Sequence, residues 1–318
     1  MSVNRLSNWS RTPLRYPGGK GKITRFIGHL LEMNQINGTY IEPFAGGAGV
    51  AINLLLSERV SRIVINDLDP GVHAFWWTVT HNPDDLIDRI RKVPFTSKTT
   101  LDEFSAEERY NYWKDIHDRY FRNDDRTLED TGFDFFMLNR MNVSGILKGG
   151  PIGGYRQEGM YNIGARFNKD VLIDRISDIA RRADSIIIRH DEASHFFDKV
   201  FSGTDMFGDM NNTFMFIDPP YYKQGKNLYN AYATDIIHRY VAYQLSEHGL
   251  DWKWILTYDA AEYIRRLYAY ADIQKYEYGI TYSANNRGVY TELLYASPAL
   301  RLESFDNVHL QSEPIPAF

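Results

Sequence analysis

The segment Thr39-Tyr-Ile-Glu-Pro-Phe-Ala-Gly-Gly-Ala-Gly-Val50 spells a short strand, a glycine-rich turn and a helix start. In an open α/β sheet this is the first crossover, where glycines let backbone approach a ligand at the carboxyl ends of the strands. Around it, helical spacing covers residues 23–31 and 49–58, and strands are expected at 40–42 and 62–66. A further helix begins at Pro70, where proline suits the first turn. Strands joined by helical crossovers require a parallel sheet covered on both faces.

Between residues 83 and 182 strand signals fade. Residues 104–121, 133–140 and 169–182 read as helices, the last with Val171, Leu172, Ile176 and Ile179 on one side. Residues 142–168, rich in Gly, Asn and Arg, read as a long ordered loop or hairpin, a feature that is usually functional. Strands return at 185–189, 213–217 and 254–257, with a helix around 234–248. A hairpin is expected from 278–283 and 289–296 around the turn-rich Asn285-Asn286-Arg287-Gly288. The expected architecture is one discontinuous α/β domain, residues 1–94 and 185–318, carrying a mostly helical insertion at 95–184.

At the end of the second strand, twenty residues beyond Gly47, stands Asp67. A carboxylate there can accept both hydroxyls of a ribose, although a strand-end Asp is also a common helix cap. Together the loop and the acid favour an adenosine-bearing cofactor. Ile52 occupies the place of the dinucleotide fingerprint's third glycine, and Glu42 enters the loop. A carboxylate is poorly suited to a pyrophosphate but attracts an ammonium group, directly or through water. That tilts the reading from a nicotinamide dinucleotide toward S-adenosylmethionine. A P-loop at residues 17–23 fails, because its pattern needs Gly at Tyr16 and Ser or Thr at Ile23.

The strand at 213–217 runs into Asp218-Pro219-Pro220-Tyr221. Two prolines remove two backbone donors and leave carbonyl acceptors at the strand end. An amine conjugated to an aromatic ring is a poor nucleophile, because its lone pair is delocalised. Accepting its hydrogens at the Asp218 carboxylate and the Pro219 carbonyl localises that pair, while Tyr221 can stack on the ring. The plainer alternative is a surface turn with a capping Asp.

Leu14-Arg-Tyr-Pro-Gly-Gly-Lys20, Glu42-Pro-Phe-Ala-Gly-Gly-Ala-Gly49 and Asp218-Pro-Pro-Tyr221, in that order with an insertion before the last, resemble the Dam-type (D12 class, alpha-group) DNA adenine methyltransferases. The resemblance implies a Rossmann-like S-adenosylmethionine-dependent methyltransferase sheet with an inserted target-recognition domain. It implies methyl transfer to the N6 amine of an adenine flipped out of duplex DNA, without a metal. Residue by residue, it implies that Tyr16, Lys20, Glu42, Phe44 and Gly46 line the cofactor site, with Lys20 near the methionine end. Asp67 would hold the ribose, and Asp218 would lie between cofactor and base. Residues 257–259, Tyr282, Ser283, Arg287 and 291–294 resemble later, less specific motifs without an assigned chemistry.

Composition bears on this in two ways. The chain has no Cys among 318 residues, which removes thiol chemistry and with it the ring-carbon methylation of cytosine. The net charge of -5 conceals strong regional differences. Residues 102–134 carry eleven acidic and five basic side chains, read as a solvated helical face, while residues 140–189 carry nine basic and five acidic. Residues 1–25 hold six basic groups and no acid. The basic segments suit a polyanion. DNA-facing candidates are Asn139, Arg140, Asn142, Lys148, Arg156 and Arg166, since Arg reads guanine, Asn reads adenine, and any of the cations can contact phosphate.

The expected partner is double-stranded DNA. No membrane partner is expected, because no apolar run reaches the ~20 residues of a membrane span and no signal peptide is visible, which makes cytoplasmic the default. A cognate restriction endonuclease is compatible with this reading, and a monomer suffices for turnover. Two alternatives remain open: methylation of cytosine N4 or of RNA, and a catalytically silent DNA-binding relative.

Overall fold

The computed structural model describes residues 11–16, 20–122, 125–204, 207–222, 235–282 and 288–313, with backbone alone at 280–282 and 288–290. Along the chain come α1 (Thr24–Met33), β1 (Thr39–Glu42), α2 (Gly49–Leu56) and β2 (Arg62–Asn66). Five helices follow: α3 (Pro70–His81), α4 (Pro83–Lys92), α5 (Ala106–Phe121), α6 (Leu128–Met141) and α7 (Lys169–Ala180). Then come β3 (Ile186–Arg189), α8 (Ala193–Phe201), β4 (Thr213–Ile217), α9 (Asp235–Glu247), β5 (Lys253–Asp259) and α10 (Glu262–Tyr268). Strands β6 (Gln274–Tyr282), β7 (Gly288–Ala296) and the short β8 (Gln311–Ser312) complete the described chain.

Two compact units emerge. The first comprises Lys20–Leu68 and residues 185–313; the second comprises residues 11–16 and 69–184. In the first, the strands form one sheet in the order β3-β2-β1-β4-β5-β7-β6-β8. Strands β3 to β5 are mutually parallel, and β7 enters antiparallel between β5 and β6. The chain fills the sheet outward from β1 through β2 to β3, then returns to β4 on the other side of β1. The β1/β4 junction is therefore the topological switch point, outside whose carboxyl ends ligands bind in such sheets. The fold is the expected Rossmann-like α/β sheet.

Side-chain alternation explains how the strands are covered. Ile41, Val64, Met215, Ile217, Leu256 and Tyr258 face a core built with Phe197 of α8, Val241 and Leu245 of α9 and Ile264 of α10. Helix α2 packs on β1 and β2, and residues 50–55 are all buried, as the apolar run GVAINLLL demands.

The second unit is helical. Phe75 of α3 stacks on Phe136 of α6 with centroids 5.5 Å apart. The two helices approach closely at Gly132, where a Cβ would stand 2.8 Å from the Ala74 carbonyl oxygen. Helices α3 and α4 belong here, so the boundary lies at 68/69 rather than at the expected 94/95. Asp134 departs from the expected solvated acidic face: it is 1% exposed and accepts from Arg119 Nε at 2.7 Å and from Arg126. Among the described residues no helix is long and apolar enough to cross a membrane.

Candidate active site

Three neighbouring strands of the sheet unit each end on an acid. Glu42 closes β1, while Asp67 follows β2 and Asp218 follows β4 directly. The glycine loop is anchored from β2: Ala45 N donates to the Asn66 carbonyl at 2.9 Å, and Asn66 Nδ2 donates to the Pro43 carbonyl at 3.0 Å. Gly46, at φ 47°, lies in the left-handed region that favours glycine, and its N–H donates to Asp67 Oδ2 at 2.7 Å. Asp67 thus braces the loop from the strand-end position predicted for a ribose-binding acid. Capping of α3 falls to Asp69, which accepts from Gly71 N and Val72 N.

Glu42 is 4% exposed and accepts from Tyr40 Oη and Ala51 N, both at 3.0 Å. Burial pushes its carboxyl up to about 8. Phe44 is partly buried against the adjoining core. This donor set fits S-adenosylmethionine: the strand-end acids suit a ligand that carries an ammonium, a sulfonium and a ribose diol, whereas once ionised they would repel a pyrophosphate. Tyr16, half-buried, belongs to the second unit, and Pro17–Gly19 lie outside the described residues.

Asp218 is fixed through one oxygen. Ile217 pairs with Leu256 in the β4/β5 register, so the next residues, Asp218 and buried Thr257, are neighbours. Thr257 Oγ1 donates to Asp218 Oδ1 at 2.7 Å, and Lys20 Nζ approaches the same atom at 2.9 Å. Oδ2 accepts from no described residue, and the side chain is 21% exposed. Burial raises the Asp218 carboxyl above its ordinary range; Lys20 opposes the shift and Glu292 reinforces it. Pro219 is buried, and Tyr222 N donates to Asp259 Oδ1 at 2.9 Å, tethering the end of the turn to β5.

Sequence reasoning gave Glu292 no role, yet it organises the interior of this site. It is 2% exposed on β7, opposite Tyr278 in the β6/β7 register. Tyr221 Oη donates to Glu292 Oε1 at 2.6 Å, and Tyr278 Oη donates to Oε2 at 2.5 Å. Lys20 Nζ lies 3.3 Å from Glu292 Oε2, donates to Tyr221 Oη at 2.9 Å, and stands 4.9 Å from the Tyr221 ring centroid. The available signal was one acid in the otherwise uncharged strand GVYTELLYA, a pattern that requires buried partners.

The DNA-facing candidates all lie in the helical unit, and they divide by burial. Asn139, 1% exposed, exchanges bonds with the Arg15 backbone, accepting from its N–H at 2.8 Å and donating to its carbonyl at 2.6 Å. Asn142, fully buried, accepts from Trp113 Nε1 at 2.7 Å and donates to the Ile146 and Leu147 carbonyls at 2.9 Å. Both amides are spent on shaping the loop, so the expectation that they read bases is corrected. Arg140 is half-buried and donates to the Arg166 and Pro13 carbonyls. Lys148, Arg156 and Arg166 are exposed, Arg166 with its guanidinium 5.8 Å from the Tyr161 ring centroid.

A parallel sheet with a switch point at β1/β4, acids on adjacent strand ends and a DPPY turn on β4 define the Rossmann-like methyltransferase class. The model of the D12 class N6 adenine-specific DNA methyltransferase family matches residues 16–281, and the chain belongs to that family. Membership makes it an adenine-specific DNA methyltransferase and implies S-adenosylmethionine as methyl donor. Among curated relatives, the type II methyltransferase M.MjaIII of Methanocaldococcus jannaschii is 23% identical over 215 residues, 65% of this chain and 68% of that protein. Modification methylase StsI of Streptococcus sanguinis is 25% identical over 224 residues, 69% of this chain but 30% of that protein. A solved rRNA methyltransferase, aviRa from Streptomyces viridochromogenes, aligns over 93% of this chain and 94% of its own at 10% identity and a TM-score of 0.36, too slight a likeness to carry an argument.

Proposed function

We propose that this chain methylates the N6 amine of an adenine flipped out of a specific site in duplex DNA, as a Dam-type enzyme with the alpha-group order of motifs. The carrying observation is Asp218, held through Oδ1 by Thr257 and Lys20 while Oδ2 remains an acceptor at the end of β4. The bound donor supplies an electrophilic methyl: the nitrogen lone pair forms the N–C bond, the S–C pair returns to sulfur, and a proton leaves the nitrogen for solvent. Asp218 Oδ2 and the Pro219 carbonyl accept the two amine hydrogens and localise the lone pair. Tyr221, pinned by its hydroxyl, offers its ring to the flipped base and offsets part of the few kcal/mol that unstacking costs. Glu42 receives the donor's ammonium and Asp67 its ribose. Lys20, Phe44 and Gly46 complete the donor's surroundings in the sheet unit.

In this reading the sheet unit is catalytic and the helical unit recognises the target. Lys148, Arg156 and Arg166, with Arg140 behind them, contact phosphate. Replacing Lys148, Arg156 and Arg166 with glutamine should lower the slope of log affinity against log salt by about 0.9 for each phosphate no longer neutralised, similarly on all duplex sequences. A fluorescence-anisotropy titration reads this, and an unchanged slope removes these residues from the interface. The names of the two curated relatives favour a modification role, which a cognate restriction endonuclease would accompany; one active site suffices for turnover, so the chain is taken to act as a monomer. Digesting methylated plasmid to nucleosides and separating them by mass tests the central reading. N6-methyladenine is expected; N4-methylcytosine in its place would sink it, and no methylated nucleoside would indicate a silent relative. Modified-base sequencing of an expressing host then gives the recognition sequence.

A further inference from the structure

We propose that Glu292 is a positioning residue for methyl transfer: it shares Lys20 with Asp218, so the ammonium does not neutralise the Asp218 carboxylate and the cluster keeps one net negative charge toward the reacting amine. The inference rests on the reading of Asp218 given above. The geometry is that of a shared cation. Lys20 Nζ stands 2.9 Å from Asp218 Oδ1 and 3.3 Å from Glu292 Oε2, with Lys20 and Glu292 both 2% exposed in their side chains. Among the described residues, two carboxylates on one ammonium leave one negative charge in a largely buried region, where a fixed charge acts strongly.

That surplus is matched to the reaction. The nitrogen that forms the new bond carries positive charge until it loses its proton, and the donor's methyl arrives on a cationic sulfur. Without Glu292, Lys20 would cancel Asp218, and Oδ2 would face the amine from a neutral pair. Both Glu292 oxygens are also committed: Oε1 accepts from Tyr221 at 2.6 Å and Oε2 from Tyr278 at 2.5 Å. The same carboxylate therefore sets the tilt of the ring offered to the base. A purely structural acid on β7 would need partners, but it would not need the DPPY tyrosine and the lysine that holds the DPPY aspartate.

The test uses the full chain and two donor analogues, sinefungin, with a cationic amine where the donor has its sulfonium, and S-adenosylhomocysteine, with a neutral thioether. Calorimetry on the unaltered protein should show sinefungin binding at least about tenfold more tightly. Glu292→Gln keeps the shape and removes the charge. It should erase most of that preference and lower kcat by about 10- to 100-fold, with KM for S-adenosylmethionine rising by up to about tenfold as the preference is lost and KM for DNA within about threefold. Lys20→Met combined with Glu292→Gln returns the cluster to one net negative charge and should recover preference and part of kcat relative to Glu292→Gln alone. A merely structural Glu292 would lower the thermal midpoint without altering the preference, and losses in the double variant would multiply.

No preference in the unaltered protein, an unchanged Glu292→Gln, or multiplied losses would each overturn the proposal. The binding arm needs no turnover. If the chain methylated cytosine N4, or nothing, the substrate reading would fall while the analogue preference still decided the role of Glu292.

Discussion

Replacing Asp218 with alanine should reduce single-turnover methyl transfer by at least about 10³-fold while leaving the thermal melt nearly unchanged. The asymmetry follows from what the carboxylate holds. Its Oδ1 accepts from Thr257 at 2.7 Å and pairs with Lys20, both of which keep other partners or gain room for water once the side chain is gone. The residues that pack β4 are Thr213–Ile217, all buried, and none of them changes. Loss of the Thr257 hydrogen bond in a partly exposed position costs about 1 kcal/mol of stability, and Lys20 keeps Glu292 as a counter-ion once Asp218 is gone. On the proposed reading, function has no such compensation, because the Pro219 carbonyl left on this turn would accept only one of the two amine hydrogens. Burial and Glu292 raise the Asp218 carboxyl, so turnover in the unaltered enzyme should also fade as pH drops through that raised value, earlier than an exposed aspartate would dictate. Unchanged turnover in the alanine variant would show that the reaction occurs elsewhere.

The parts of this fold legible in the sequence were those written in short-range chemistry. The glycine loop between β1 and α2 announces itself by residues whose backbone must bend, and RIVIN at β2 and TFMFI at β4 by runs that only a sheet buried on both faces can hide. Asp67 and Asp218 were legible because they sit where such strands end. The domain boundary was not, because the close approach of α3 to α6 at Gly132 is a property of two helices far apart in the chain. Asn139 and Asn142 misled for a related reason. An amide in a basic, glycine-rich loop reads as a base-contacting group, and only the fold reveals that Arg15 and Trp113 have claimed it. Glu292 and Thr257 fell within the later, less specific motifs but received no chemistry, because their meaning depends on register. Thr257 matters by standing next to Asp218, and Glu292 by facing Tyr278 across a hairpin.

Substituting glutamine for Glu42 should flatten the pH dependence of stability across neutral pH in the ligand-free protein. The folded chain holds this carboxyl up to about 8 against an ordinary 4.5, chiefly through burial. Between those values the folded state keeps a proton that the unfolded state has released. The contribution is therefore fully present below the unfolded value, declines as pH rises, and is lost through about 8. At about 1.4 kcal/mol per pH unit, its span is on the order of a few kcal/mol. Glutamine retains an oxygen for the Tyr40 hydroxyl and the Ala51 N–H, so the variant keeps both bonds and loses only the titration. Urea unfolding at several pH values from 5 to 8 reads the difference, and parallel curves for the two proteins would show that Glu42 does not titrate in this window. The same proton links stability to binding. A ligand ammonium beside Glu42 favours the ionised carboxylate, so S-adenosylmethionine should release close to one proton on binding near pH 7 and none in the glutamine variant. Calorimetry in buffers of different ionisation enthalpy measures that release. On the proposed reading, a carboxyl kept neutral by burial until a cation arrives would let the glycine loop stay folded without its ligand and still answer to the ligand's charge.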